Sequence, residues 1–565
     1  MKKLTAAILA LSMCFGMVGT GFAQESSSKP KSDKKITILG TSDIHGVFLP
    51  WDYASDTEDK SGSLSQITKI IKDTKKENPN TIVVDAGDLI QGNFVETFKN
   101  EEKSPMVQGL NEAKYDLWVP GNHEFNFGMD VLKKNIDQFK GTTLAGNLYN
   151  KKDNSRYLPA YKIIEKDGVK IGFIGMTTPL ITQFEAGTDH LDGLDVKMPI
   201  EETKKAIKEL DGKVDVIVGI MHMGENNENG IAGTGVTDIA KACPEIDVIL
   251  AGHMHVKIDK KEIGTTIVTE PYKYGKAVSR IDLEFATKDG KNVLVSKESK
   301  ALDVSKTESD KDMEKLYAPY HEKLRKDANE VIGKVVGGDM VPKTGILPNL
   351  PVVQIQDTPL ATFFQEVCQY YSKADVIALQ IDTDNAKMDQ GEIKKKDIAN
   401  NYRYAGGEVS VYEFTGKDLK DYMEWSAAYF DKYEKNDTTI KFNKERRAEK
   451  YSTNDFFSGV TYKIDLTKEV GNRIVDLKFA DGKEVKPDSK FKIGMNSYRL
   501  ERLVKKGGAL EGKTFKKIWS SEEEFNGEAG TIRNLAIKYI KEVKKGVIEA
   551  KNDNNWELIS PIIKK

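Results

Sequence analysis

The chain has 565 residues, 39% hydrophobic and 30% charged, which is ample for packed cores and excludes a disordered tail or a collagen-like repeat. Basic and acidic residues nearly balance, 85 against 87, for a formal charge of −2. That removes the broad basic footprint of a polynucleotide binder and leaves small anionic ligands open; length alone predicts about two to four domains.

Lys2 and Lys3 precede an apolar run over residues 4–18, and Gly19, Gly21 and Ala23 follow. A basic start, a short apolar core and a small-x-small end predict a secretory signal peptide over 1–23. The core falls short of the ~20 residues that a membrane span needs, and Met13 before Cys14 argues against lipid attachment. Cleavage after Ala23 leaves a mature charge of −4. The Ser/Lys-rich segment 24–35 reads as a flexible linker. From Ile36 onward, short β-branched runs end in Asp, Gly or His and alternate with amphipathic stretches. Strands are predicted over 36–43, 81–88, 116–122, 169–176, 214–222 and 246–253. A helix over 63–76 keeps Leu64, Ile67, Ile70 and Ile71 at helical spacing behind a serine cap. Alternation at this pitch predicts an α/β domain over 36–309.

A charge-dense helix over about 310–331, followed by Gly337-Gly338, predicts a connector over 310–338. Its plain reading is a helix packed on one domain, its sharper reading a lever between two. The remainder, 339–565, mixes a helix near 360–371 with strand patterns such as 409–414 and 460–465, as a second α/β (α+β) domain does. Of the cysteines, only Cys243 and Cys368 remain after cleavage. They fall in different domains and are expected to be buried and unpaired. No later stretch is apolar enough to span a bilayer, and the protein is expected outside the cytoplasmic membrane, as an extracellular, envelope or periplasmic monomer.

Seven histidines occur, and five stand in small clusters at the ends of predicted strands: Asp43-Ile44-His45, Gly121-Asn122-His123-Glu124, His222, and Gly252-His253-Met254-His255. Gly87-Asp88 ends another strand in the same half. Strand geometry would place Asp43 with His45, and His253 with His255, on one face. Imidazole and carboxylate donors together suit borderline divalent metals, and open α/β sheets build their sites at the carboxyl ends of strands. His190 and His321 lie outside the clusters and read as ordinary surface or packing residues.

In order and spacing these motifs resemble the calcineurin-like metallophosphoesterase signature. The chain as a whole resembles the secreted 5′-nucleotidase and 2′,3′-cyclic-nucleotide 2′-phosphodiesterase family. Pro50-Trp51-Asp52-Tyr53, Asp88-Leu89-Ile90-Gln91-Gly92-Asn93 and Asn401-Tyr402-Arg403-Tyr404 look most like the cyclic-nucleotide branch. The resemblance implies a four-layer β-sandwich flanked by helices, with a second, substrate-binding domain. It also implies two divalent ions (zinc, manganese, iron or cobalt): one on Asp43, His45 and His255, the other on Asn122, His222 and His253, with Asp88 bridging. His123 would be catalytic, oriented by Asn126 where the 5′-nucleotidase branch has an aspartate.

Tyr404 and Tyr498 would grip the nucleobase, since any base offers a π-face. Two features depart from the family pattern: Ala405-Gly406-Gly407 follows the first tyrosine, and residues 500–506 replace a small Gly-rich turn after the second. The arginine-containing Gly-Gly loop of 5′-nucleotidases is also missing, its region reading Gln380-Ile381-Asp382-Thr383-Asp384-Asn385-Ala386. The expected activity is hydrolysis of 2′,3′-cyclic nucleotides to 3′-nucleotides and then to nucleoside and phosphate. The alternatives are a 5′-nucleotidase or UDP-sugar hydrolase, and a non-catalytic nucleotide-binding surface protein. The partner is a small nucleotide, with no polymeric nucleic acid.

Overall fold

The computed structural model describes residues 32–563 except 187, 405–406, 449–451 and 526. The predicted signal peptide, most of the predicted linker and Ala405-Gly406 therefore lie outside the described residues.

Two six-stranded sheets form the first body. One has the order Lys291–Asp303, Ala277–Lys288, Lys34–Thr41, Thr81–Asp85, Leu117–Trp118, Thr142–Thr143. The other has the order Lys257–Ile263, Thr266–Pro271, Val248–Ala251, Val216–His222, Val169–Thr177, Tyr161–Lys166. Apart from Ala277–Lys288, which is antiparallel to both neighbours, the inner strands run parallel, with Thr37 beside Thr81, Val84 beside Leu117, and Val218 between Phe173 and Val248. Parallel neighbours bring their carboxyl ends to one edge, with the crossover helices on the faces.

The period of two sorts these strands. Ile36, Ile38, Ile82 and Val84 from one sheet meet Val218, Ile220, Val248 and Leu250 from the other in a shared core. The alternate residues Leu39 and Val83 pack under the helices Leu64–Glu77, Pro105–Glu112 and Lys311–Ala328. Ile217, Met221 and Ile249 pack under Pro199–Leu210 and Val236–Ala242. Helix, sheet, sheet and helix make four layers, and strands buried on both faces explain the continuous β-branched runs. The helix predicted over 63–76 starts as expected, with the Ser63 hydroxyl accepting from the Gln66 N–H at 3.2 Å.

A separate core begins at Ile332. Its five-stranded sheet has the order Asp455–Ser458, Val376–Gln380, Lys490–Met495, Ser410–Thr415, Lys517–Ser520, with mixed directions. The helix Pro359–Ser372 is capped by Thr358, and Gly416–Ala427 by the reciprocal Thr415 and Asp418 bonds. The helix Lys311–Ala328 buries Met313, Tyr317 and Leu324 in the first body, and Asp327 near its end accepts from Lys395 of the second at 2.7 Å. Strand Val331–Val336 already pairs within the second body, ahead of Gly337-Gly338.

Charged contacts join the two bodies beside the turn at 51–58. Asp56 accepts from Arg325, Asn329 and Lys396 at 2.9, 2.7 and 3.2 Å. Burial opposes its ionisation, yet these three donors hold it down at about 2. Asp52 accepts from Arg403 at 2.7 Å. Cys243 and Cys368 are buried and free, in different cores. Among the described residues no helix is long and apolar enough to cross a membrane.

Candidate metal centre

The strands stop earlier than the sequence pattern predicts. Lys34–Thr41, Thr81–Asp85, Leu117–Trp118 and Val248–Ala251 all end before their Asp, Asn or His residues. Asp43, His45, Asp88, His253 and His255 instead sit in turns with φ of 55°, 48°, 59°, 76° and 58°. Left-handed backbone costs a non-glycine residue roughly 1–2 kcal/mol, so the alternation of a strand is not what brings Asp43 and His45 together. Tight turns at the shared sheet edge do, and such strain concentrates where side chains must converge.

Two sets of donor atoms result. One atom each from Asp43, His45, Asp88 and His255 lies within 4.8 Å of the others, and the same holds for Asp88, His222 and His253. Asp88 belongs to both. Asn122 joins the second set, its Oδ1 3.1 Å from His222 Nε2. Two glycines make the convergence possible. A Cβ on Gly121 would lie 2.3 Å from Asp88 Oδ1 and 2.6 Å from His222 Cε1, and one on Gly252 would lie 2.0 Å from Ser42 Oγ.

The donors fit a cation. The Nδ1 of His45 donates to the Gln91 carbonyl at 3.0 Å, and that of His222 to the Ala86 carbonyl at 2.7 Å. Each bond fixes a proton on Nδ1 and turns Nε2 inward, as metal-ligating histidines require. His222 Nε2 then faces only acceptors, Asn122 Oδ1 and Asp88 Oδ2 at 3.1 and 3.3 Å. Burial disfavours a charged His222, but the Asp88 carboxylate pushes it up to about 10. A positive charge belongs at this point, whether a proton or a metal. Burial takes His45 down to about 3, leaving a neutral ring whose Nε2 lone pair faces His255 Nε2 at 2.9 Å. Burial opposes the ionisation of Asp88, yet the His222 ring above all holds its carboxyl well below the ordinary carboxylate range. It enters the site as an anion.

Several residues that sequence reasoning did not single out hold this arrangement. Glu124 is wholly buried and its carboxylate accepts the N–H groups of Asp88, Leu89, Ile90 and Gly121 at 2.5–3.2 Å. It ties the Asp88 turn to the Asn122 turn. Its place in the Gly-Asn-His-Glu motif was the available signal. Glu228 Oε2 lies 3.0 Å from His253 Nε2. Tyr274 stands edge-on to His45 at 5.7 Å, and Phe184 lies 5.9 Å from the His253 ring.

His123 sits at the rim of the donor sets. Its N–H donates to Asp88 Oδ1 at 2.9 Å and its ring stands edge-on to His45 at 5.2 Å. Nδ1 lies 2.6 Å from Asn126 Oδ1. His321 packs as expected, against Trp51 and within 2.8 Å of the Tyr53 hydroxyl. His190 is more than a surface residue, because its Nδ1 lies 2.6 Å from Glu185 Oε2 and Glu185 in turn contacts Asn126. Tyr404 and Tyr498 lie together in the second body, ring centroids 6.0 Å apart and tilted by 55°. A base sandwiched between parallel rings needs roughly 7 Å, two contacts of about 3.5 Å, so the rings touch each other in this conformation. Arg403, next to Tyr404, reaches the first body through Asp52.

Comparison with known proteins bears on this geometry. Residues 36–257 match the calcineurin-like phosphoesterase family and residues 337–504 match the 5′-nucleotidase C-terminal domain. The chain belongs to the metallophosphoesterases that carry a 5′-nucleotidase C-terminal domain. Membership in this metallophosphoesterase family accounts for the clustered donors as a divalent-metal site. It is 26% identical to the trifunctional nucleotide phosphoesterase of Bacillus subtilis, over 95% of this chain but only 40% of that protein's length. It is 26% identical to the 2′,3′-cyclic-nucleotide 2′-phosphodiesterase/3′-nucleotidase of Haemophilus influenzae, over 94% of this chain and 88% of the relative. A 5′-nucleotidase of Vibrio cholerae is 27% identical over 74% of this chain and 80% of its own length. The metallophosphoesterase fold recurs in a 5′-nucleotidase precursor from Thermus thermophilus, with 17% identity, a TM-score of 0.58, and 93% of this chain and 100% of that one covered.

Proposed function

We propose that the chain is an exported dinuclear-metal phosphohydrolase that opens 2′,3′-cyclic nucleotides to 3′-nucleotides and then releases phosphate to leave a nucleoside. One observation carries the reading: two sets of inward-facing donors share the single carboxylate of Asp88. Asp43, His45 and His255 would hold one ion, Asn122, His222 and His253 the other, with Asp88 common to both. Two divalent ions held there would supply an activated water near neutral pH and would offset charge on the phosphoryl oxygens. Asn122, as a neutral ligand, limits the negative charge facing an anionic substrate.

In the first step water adds to phosphorus, the bond from phosphorus to O2′ breaks, and the 2′-oxygen takes a proton. The His123 ring would give that proton from Nε2 while Nδ1–H stays bonded to Asn126. Residues 36–309 would carry this chemistry, and residues 339–565, joined through 310–338, would carry the nucleotide grip of Tyr404 and Tyr498. Asn126, the missing arginine loop and the cyclic-nucleotide relatives support the cyclic diester as the first substrate. The 5′-nucleotidase relatives support a second reading, a 5′-nucleotidase or UDP-sugar hydrolase. Seven ligand positions filled and gathered argue against a retired, non-catalytic surface protein.

A substrate panel on metal-loaded protein tests the assignment. The value of kcat/KM is expected to be highest for 2′,3′-cyclic AMP, with 3′-AMP next and AMP and UDP-glucose lower. A preference for AMP would overturn the cyclic assignment, and turnover of none of them would favour the binding protein.

A further inference from the structure

The histidine at the rim leads outward through three more side chains. His123 Nδ1 meets Asn126 Oδ1 at 2.6 Å, Asn126 Nδ2 donates to Glu185 Oε1 at 2.6 Å, and Glu185 Oε2 meets His190 Nδ1 at 2.6 Å. The Glu185 side chain is 4% exposed, so this carboxylate spends its two oxygens on Asn126 and His190.

We propose that Glu185 is a positioning residue for the reaction, acting on His123 through the amide of Asn126; the proposal rests on the catalytic role given to His123 above. The argument is one of hydrogen-bond polarity. An amide presents either a carbonyl or an NH2 group to a neighbour, and rotation by 180° exchanges them. Carboxylate oxygens accept, and Glu185 Oε1 takes the NH2 end of Asn126, which leaves Oδ1 facing His123. The ring must then carry its proton on Nδ1, and Nε2 becomes the nitrogen that exchanges a proton with the substrate. Without Glu185 the amide is free to turn, and its NH2 group would then face Nδ1 and select the opposite tautomer of the ring. His190 holds the second oxygen and fixes the carboxylate's plane. None of the four groups needs to gain or lose a covalent bond for this.

Glu185→Leu removes the acceptor. It is expected to lower kcat on 2′,3′-cyclic AMP by about 10–100-fold, the loss seen when an outer-shell partner in a metal site is removed, with KM and metal content little changed. Bis(p-nitrophenyl) phosphate, whose leaving group departs without a proton, should lose much less. Glu185→Gln keeps a carbonyl acceptor and should retain most of the activity. The sign reverses when position 126 is a carboxylate. Asn126→Asp sets two anions against each other and impairs turnover, and adding Glu185→Gln to it should restore activity. Nitrogen-15 spectra of labelled histidine should show His123 protonated at Nδ1 in the parent and moving to a mixture of tautomers in Glu185→Leu. Equal losses on both substrates with an unchanged tautomer would overturn the proposal, as would failure of Glu185→Gln to improve Asn126→Asp. If His123 itself proves dispensable, the catalytic reading fails while the tautomer spectra still report on Glu185. Should Glu185→Leu not fold, the Asn126→Asp pair decides alone.

Discussion

Asp88→Asn should lower kcat by at least about a thousand-fold, ~4 kcal/mol of lost barrier reduction. The size follows from the residue's position in both donor sets, which no other side chain among the described residues shares. Asparagine keeps the Oδ1 that accepts from the His123 N–H, so the turn itself can survive. It removes the negative charge, however, and sets an NH2 group or a neutral oxygen against His222 Nε2, now 3.3 Å from a carboxylate oxygen. One replacement therefore weakens both sites. Turnover measured beside metal content checks this. Activity close to that of the parent would show that Asp88 is not shared by reacting ions.

His123→Ala is expected to act differently, with metal content nearly unchanged and turnover lower by about 10²–10⁴-fold, the range for a lost general acid. The ring lies beside the donors without belonging to either set, and what it contributes there is a proton or a hydrogen bond to the departing oxygen. The loss should be largest for nucleoside leaving groups and smallest for p-nitrophenolate. An alanine variant with ordinary turnover on 2′,3′-cyclic AMP would remove the role.

The same region shows how far a sequence can be read. The ordered motifs ending Ile36, Thr81, Val216 and Val248 runs mark both the sheet edge and the donors, because a doubly buried strand must be apolar until it leaves the sheet. Ser63 as a cap is likewise local information, visible in the spacing of Leu64, Ile67 and Ile71. The left-handed turns at Asp43, His45, Asp88, His253 and His255 are not local in this sense. The Asp88 turn persists because Glu124, Gly121 and the paired strands hold it, through contacts across tens of residues. Glu185 and His190 stand in a loop with no motif, and their importance lies wholly in what they touch. The tyrosines mark a different limit. Both stand in the second body, and their 6.0 Å centroid separation depends on how that body arranges its loops.

The central claim is that two cations share one carboxylate, and a metal-anomalous diffraction map of the fully loaded protein, with elemental analysis of the same sample, tests it most directly. Two ions per chain flanking Asp88, one beside His45 and His255 and one beside His222 and His253, are predicted. A single ion, or two that do not both contact Asp88, would contradict the account.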